Sequence, residues 1–406
     1  MESPALIKMT NKKNNPQNVE KAQKELSIVM PCLNEELTVG TCVSKAVNFL
    51  KQYKIDGEVI VADNGSTDRS VEIATKQGAR VVYVEQKGYG SALRGGFEAS
   101  LGKYIIMADA DDSYDLVNLM PFVEKLREGY ELVMGNRFKG GIKKGAMPWH
   151  HRYIGNPILS FLGKLFFKTP ANDFHCGLRG FTKTAIEKMN LQTTGMELAS
   201  EIVIKSSILG MNTCEVPTTL SPDGRDRPPH LRSFRDGWRH LRFLLIYSPS
   251  WLFLYPGLFL LAIGGIFSLI LFFGPIRISI GLIDFLSFIV AGTITLLSIS
   301  MISFAVITRV FAYNTGLLPS QPGFFSLFKY FNLERGLALG FILFIIGLFV
   351  VTRSIMLAPE FTVIGFDKSI RLVFGGSLSM ALGGQTILTS FVLSILGLNI
   401  SSEKTV

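Results

Sequence analysis

Asp109 and Asp111, two residues apart at the end of the apolar run Tyr104-Ile105-Ile106-Met107-Ala108, are the side chains best placed to do chemistry in this sequence. If the strand continues through them, its two-residue alternation turns both carboxylates to one face, where they can grip one hard cation through oxygen. A Mg²⁺ or Mn²⁺ ion held in this way completes its shell with water and phosphate oxygens, so the chemistry implied is a metal-diphosphate site. An isolated D-x-D is more often a solvated acidic turn, and the neighbouring motifs must decide between the two.

The surrounding pattern supplies the frame. Strands are predicted over Leu26–Met30, Glu58–Ala62, Arg80–Val84 and Glu131–Met134, besides the one ending at Asp109. Between the first two, the spacing of Val39, Val43, Val47 and Leu50 predicts a helix over 36–50. Such alternation of strand and helix implies an α/β, Rossmann-like, mainly parallel sheet covered on both faces. The polar clusters Asn34-Glu35, Asp63, Lys87-Gly88, Asp109–Asp111 and Arg137 then fall at one edge, where open sheets gather ligands. The glycines of Lys87-Gly88-Tyr89-Gly90 let backbone approach a ligand and leave a helix N-terminus facing phosphate. Phe138–Gly145, rich in glycine and lysine, reads as a mobile loop over the cleft.

Pro31-Cys32-Leu33-Asn34-Glu35, Asp63-Asn64-Gly65-Ser66-Thr67-Asp68, Lys87-Gly88-Tyr89-Gly90 and Asp109-Ala110-Asp111-Asp112, in that order, resemble the motifs of family 2 glycosyltransferases of GT-A fold. The resemblance is greatest to the dolichol-phosphate mannose synthase and bacterial polyprenyl-phosphate glucosyltransferase group, and covers residues 25–245. It implies that Pro31, Glu35 and Asp63 contact the donor nucleotide and that Asp109 and Asp111 hold the metal. From their place at the strand ends, Asn34, Lys87 and Gly88 are expected beside the donor, and Arg137 is expected to be catalytic with the two aspartates. Arg137, Arg179, Arg225 and Arg232 are expected to position an acceptor phosphate: Arg179 ends a segment similar to the one that closes the family's sugar side, with a structural salt bridge as the alternative, and Arg225 and Arg232 loosely match basic family positions. The chain departs from the family pattern at Asn64, where a second acid is common, and at Ser113, where glutamine is common; Asp112 is a weak substitute for that glutamine as a third metal ligand. His175-Cys176 replaces a small hydroxylated pair, which leaves the sugar open. Glu197, Glu201 and Lys205, spaced by four, read as a solvated, salt-bridged stripe, although some relatives use an acid here as a base.

Composition adds a membrane. The chain is 48% hydrophobic, but residues 1–247 look soluble whereas 251–397 hold four long apolar runs. Trp251–Phe273, Phe285–Ile307, Gly336–Val351 with its continuation, and Leu372–Leu398 are each read as a span. Just before the first span, Phe234, Trp238, Leu241 and Leu245 alternate with Arg232, Arg235, Arg239 and Arg242, an amphipathic helix suited to the lipid interface or to packing on the globular domain. The chain's net charge is +9, and Arg225, Arg227, Arg232, Arg235, Arg239 and Arg242 crowd this segment; the cluster points to anionic headgroups or phosphates, and no nucleic-acid module accompanies it. Cys32, Cys42, Cys176 and Cys214 lack metal spacing and fit a reduced compartment.

The expected order is therefore a polar, disordered tail over 1–25 with no cleaved signal, a transferase domain over 26–222, a basic loop and interfacial helix over 223–248, four transmembrane helices over 249–400 and a short tail over 401–406. Positive residues flanking the first span place the catalytic part on the cytoplasmic face of a multi-pass inner-membrane protein. The expected activity is inverting, metal-dependent transfer of one sugar from a UDP-glucose or GDP-mannose type donor to a polyprenyl phosphate. Alternatives are a processive polysaccharide synthase, which the missing Q-x-x-R-W disfavours, and a non-catalytic scaffold or lipid translocase, which the intact donor motifs disfavour. Partners are thus the donor, the lipid phosphate and the bilayer; whether the chain forms a homo-oligomer is open.

Overall fold

The computed structural model describes residues 24–226, 233–278, 281–314, 333–356 and 363–401. Nearly all of the expected N-terminal tail, together with Arg227 and Arg232, lies outside them. The chain forms two compact units, one comprising Met1–Arg152, His175–Ala199 and Asn212–His230, the other Tyr153–Phe174, Ser200–Met211 and Leu231–Val406.

In the first unit β1 (Lys24–Cys32), α1 (Val39–Gln52), β2 (Gly57–Asp63), α2 (Ser70–Lys76), β3 (Arg80–Tyr83), α3 (Tyr89–Ala99) and β4 (Gly102–Met107) alternate strictly. There follow α4 (Met120–Arg127), β5 (Leu132–Asn136), a short α5 (Arg137–Gly140), α6 (Asn156–Phe167), β6 (Arg179–Thr182), α7 (Lys183–Met189), α8 (Leu198–Ile208) and β7 (Thr213–Pro217). Of these, α6 and most of α8 belong to the second unit.

The seven strands lie in the order β3-β2-β1-β4-β6-β5-β7. All pairs are parallel except those of β6, which runs antiparallel to both β4 and β5. Leu26, Ile28, Val29 and Met30 of β1 are wholly buried, so both faces of that strand are covered, as in a central parallel strand. After β1 the chain winds outward to β3 and then returns to place β4 on the other side. The crevice between the carboxyl ends of β1 and β4 is thus a topological switch point, where such sheets bind ligands.

Two elements differ from the sequence reading. Helix α1 starts at Val39 because Asn34 takes a left-handed φ of 58° and the Thr38 amide donates to Glu35 O at 3.0 Å; residues 34–38 form a turn at the crevice. Arg179, expected as a site residue, opens a strand that the sequence pattern does not predict: Arg179–Thr182 runs antiparallel to both its neighbours in this sheet.

Among the described residues the second unit has four helices long and apolar enough to cross a membrane, Ser250–Phe273, Phe285–Asn314, Leu333–Met356 and Lys368–Leu396. We label the helices carrying them, after α9 (Ser233–Ile246), as α10 (Tyr255–Phe273), α11 (Phe285–Asn314), α12 (Leu333–Met356) and α13 (Val363–Ser401). Glycines bring α12 and α13 together: a Cβ on Gly340 would lie 2.8 Å from Gly383 O, and one on Gly376 2.9 Å from Gly347 O. Small residues at such crossings admit the close backbone approach on which helix pairing in lipid depends. Arg371 is buried, donating to Leu271 O at 2.8 Å and pairing with Asp284.

In α9, Asp236, His240 and Leu244 are buried at four-residue spacing, and His240 Nδ1 meets Ser200 Oγ at 2.8 Å. Phe234 is 96% exposed and Trp238 60%, so neither side chain is buried. The stripe expected to be solvated is not: Glu201 is fully buried and paired at 2.7 Å with Lys205, itself buried, because α8 is covered on several sides.

Candidate active site

The crevice lies at the carboxyl ends of β1 and β4, neighbours in the sheet. The β4 run stays apolar through Ala108, and Asp109 and Asp111 follow in the loop. Tyr89 Oη donates to Asp109 Oδ1 at 2.9 Å, while Gly177 leaves no room for a side chain beside Asp109 Oδ2. Burial, then the charge of Asp111, pushes the Asp109 carboxyl up to about 6; the Tyr89 hydroxyl and the Arg225 and Arg137 charges oppose this. Ser113 fixes Asp111 through its amide at 3.1 Å and its hydroxyl at 2.6 Å, both donating to Oδ1. Asp111 Oδ2 faces Arg225 Nη1 at 3.2 Å.

Arg225 also grips Glu35, with Nε at 3.0 and 2.9 Å from the two carboxylate oxygens and Nη2 at 2.8 Å from Oε1. Its segment is strapped to the β4 loop, since Gly224 N donates to Asp111 O and Ser221 N to Ser113 O, each at 2.9 Å. A guanidinium thus stands among acids at the place where a cation is demanded.

Two hard carboxylate donors in a concave, partly buried loop fit Mg²⁺ or Mn²⁺, which take few protein ligands and fill the remainder with water and phosphate. Among the described residues no group of three or more metal-ligating side chains gathers. Asp112 does not serve as the third ligand: it takes a left-handed φ of 60° and turns to Lys45 Nζ at 2.6 Å. Ser113, in the place of the family's glutamine, spends its hydroxyl on Asp111.

The other expected residues divide. Asn34 Oδ1 accepts from Thr67 N at 2.7 Å, and Asp63 Oδ2 accepts from Gly65 N at 3.0 Å and Ser66 N at 3.2 Å, so both shape the loops of the crevice. Pro31 sits at the end of β1 in register with Ala62. Arg137, buried at the start of α5, is near enough to Asp109 for its charge to favour the ionised carboxylate. Lys87 Nζ donates to Asn64 O at 2.8 Å. Gly88 and Gly90 also meet protein backbone: Thr193–Gly195 lies against them, with a Gly90 Cβ only 2.7 Å from Thr193 O, and Ser91 N donates to Thr194 O at 3.1 Å. The N-terminus of α3 is therefore partly covered by protein backbone.

Arg179 requires a correction. It is wholly buried, its Nε donating to Cys176 O at 2.8 Å and its Nη1 to Ala199 O at 2.7 Å. Its guanidinium ties main-chain carbonyls together and is not presented to an acceptor phosphate. The loop after Arg137 is also more constrained than expected, because Lys143 N and Gly141 O both bond to Leu220, each at 3.0 Å.

Sequence reasoning assigned no role to Tyr89 or Gly177, and read Asn64 only as an amide in the place of a family acid. Tyr89 lies within a glycine motif and Gly177 directly follows His175-Cys176, but nothing in the spacing links either to Asp109. Asn64 Nδ2 donates to Val84 O at 3.0 Å and Gln86 O at 2.8 Å, while its Oδ1 accepts from Gly88 N at 2.6 Å. A carboxylate could make only the last of these, which explains the departure from the family's acid. Asn64→Asp is expected to cost about 2–4 kcal/mol by turning an acceptor onto two carbonyls. Thermal unfolding of the solubilised protein reads this directly, and an unchanged transition would refute it.

The family model described as Glycosyl transferase family 2 matches residues 27–189, and that of the Glycosyltransferase family 2 C-terminal transmembrane region matches residues 306–397. The low-salt glycan biosynthesis hexosyltransferase of Haloferax volcanii is 34% identical over 375 residues, which cover 92% of this chain and 89% of that protein. A dolichyl-phosphate hexose transferase of the same organism is 32% identical over 197 residues, 48% of this chain and 81% of that one. Among solved structures, glucosyl-3-phosphoglycerate synthase from Mycobacterium tuberculosis aligns distantly, with a TM-score of 0.43 and 23% identity over 55% of this chain and 79% of that one. A chain that carries both parts of the family pattern, and shares a third of its residues with a hexosyltransferase along nearly its whole length, belongs to glycosyl transferase family 2 and is a membrane glycosyltransferase.

Proposed function

We propose that the protein transfers one sugar, with inversion, from a nucleotide-sugar to a polyprenyl phosphate at the cytoplasmic face of the cell membrane. The observation that carries this reading is the Asp109–Asp111 pair at the sheet's switch point, with Arg225 and Arg137 beside it, in a chain that also has four helices able to span a bilayer. The likeness to a dolichyl-phosphate hexose transferase supports a lipid phosphate as acceptor.

A divalent cation, Mg²⁺ or Mn²⁺, held by Asp109 and Asp111 supplies charge neutralisation for the departing nucleoside diphosphate. The protein's own groups do the remainder. Ser113 and Tyr89 hold the two carboxylates in fixed orientations, so little reorganisation is needed when charge develops. Pro31, Asn34, Glu35 and Asp63 shape the nucleotide side, with Lys87 and Gly88 beside them. Arg137 and Arg225 meet phosphate oxygens, as does Arg232, which lies outside the described residues; a guanidinium fork suits that task. An acceptor phosphate with a second pKa of about 6 is already mostly a dianion at neutral pH, so no general base is required. Attack by one nucleophile with departure of one leaving group is a single displacement, which inverts the anomeric centre.

The test offers the purified protein a panel of nucleotide-sugars with a polyprenyl phosphate and reads the lipid product by mass. One added hexose residue per lipid is the expected result. A polymer, or no glycolipid with any donor, overturns the proposal.

A further inference from the structure

Asp109 meets protein on both of its oxygens. On the Oδ1 side the Tyr89 hydroxyl donates at 2.9 Å. On the Oδ2 side stands the backbone of Gly177: a Cβ there would lie 2.4 Å from Oδ2 and 3.3 Å from the carboxylate carbon. Gly177 does not take a left-handed φ, so the position requires glycine for space and not for backbone conformation. Its place in the chain gives no reason for so close an approach, and a neighbouring group must hold it there.

That group is Tyr114. Its Oη accepts from Gly177 N at 2.8 Å, and its ring lies 3.2 Å from the point where the same Cβ would stand. The preceding residue, Cys176, directs Sγ to Tyr114 Oη at 3.8 Å, while Cys176 O accepts from Arg179 Nε at 2.8 Å, so this short segment is gripped from two sides. Tyr114 is fixed in turn. It is buried, it forms a β-bridge with Leu220, and the adjacent Ser113 O accepts from Ser221 N at 2.9 Å. The loop that carries the two acids therefore also carries, at Tyr114, the group that sets the wall beside Asp109. A phenylalanine would fill the same space but would leave the Gly177 N–H without this acceptor.

We propose that Tyr114 is a positioning residue of the metal site: by holding the Gly177 backbone against Asp109 Oδ2 it fixes the orientation of that carboxylate and, with it, the affinity for the divalent cation. This rests on the reading of Asp109 and Asp111 as the cation's ligands. Groups hydrogen-bonded behind a ligating carboxylate limit its rotation, and their loss typically weakens metal binding about 10–100-fold. Tyr114 acts through one intervening residue, which places it at the lower end of that range.

The test follows Mn²⁺ binding to the full chain in detergent by electron paramagnetic resonance, each variant being measured below its unfolding transition. Tyr114→Phe is expected to bind Mn²⁺ about 10-fold more weakly than the unaltered protein. Tyr104→Phe, which removes the hydroxyl of another buried tyrosine, on β4, is expected to bind as the unaltered protein does. Gly177→Ala is expected to weaken binding by pushing Asp109 aside. In the double variant the loss is expected to be smaller than the product of the two single losses, because a segment released from Tyr114 can draw back from the carboxylate. Unchanged affinity in Tyr114→Phe, an equal loss in Tyr104→Phe, or single losses that multiply in full would overturn the proposal. Failure of this inference alone leaves the unaltered protein binding Mn²⁺, whereas failure of the metal reading does not.

Discussion

Asp111→Ala and Asp109→Ala will each lower sugar transfer by about 10³-fold, the several kcal/mol that a cation contributes to a transition state with a charged leaving group. The two residues reach this result by different routes. Asp111 is preset, with one oxygen held by Ser113 and the other turned to Arg225. Asp109 is held by Tyr89, and burial, then the repulsion of Asp111, keeps its proton affinity high. Under the proposed assignment a divalent ion would relieve that repulsion, so the pair would bind it jointly and neither carboxylate would suffice alone. Asp112→Ala is the informative contrast: one residue further on, with its carboxylate committed to Lys45, it should transfer at close to the unaltered rate. Initial rates of labelled sugar incorporation, together with Mn²⁺ binding followed by electron paramagnetic resonance, check all three variants. If Asp112→Ala fails as badly as the other two, or Asp111→Ala still binds Mn²⁺ tightly, the assignment of ligands is wrong.

What could be read from the sequence, and what could not, follows from the range of the interactions. Apolar runs ending in acids and amides identify strands and the edge on which their loops fall, because the core requires the one and solvent permits the other. The membrane helices are legible for the same reason, length and composition being enough. Arg179 was misjudged because an arginine that satisfies two buried carbonyls looks no different in sequence from one that meets phosphate. Gly88 and Gly90 signalled a close backbone approach, but the spacing could not say that the approaching backbone is Thr193–Gly195. Glu201 fell on a four-residue stripe with Lys205 that is common on solvated helices; only the fold shows that α8 is covered. The pairing of Glu35 with Arg225 joins residues 190 positions apart, and no local pattern records it.

That pairing leads to the second large effect, on stability. Arg225 is the counter-ion of two acids that are themselves mostly buried, the Glu35 side chain at 5% exposure and that of Asp111 at 12%. Removing one member of such a group strands the others, which typically costs about 3–5 kcal/mol because the remaining charges keep their desolvation penalty and lose its compensation. Arg225→Ala should therefore unfold at a distinctly lower temperature in a chelator, by roughly 2–4 °C for each kcal/mol lost in a domain of this size. It should also become unusually responsive to divalent cations, since a ligand that binds only the folded state stabilises it in proportion to its occupancy, and Mg²⁺ or Mn²⁺ would take over the neutralisation of Asp111. Glu35→Gln in the Arg225→Ala background should recover part of the loss by removing the acid with the most contacts to the arginine. Arg225→Lys should recover little, because a single ammonium cannot span both carboxylates as the guanidinium does. Unfolding curves of the solubilised protein with and without Mn²⁺ measure each of these. Equal destabilisation of Arg225→Ala in chelator and in saturating Mn²⁺ would mean that the arginine holds the loop by packing alone and is not the charge that the acids require.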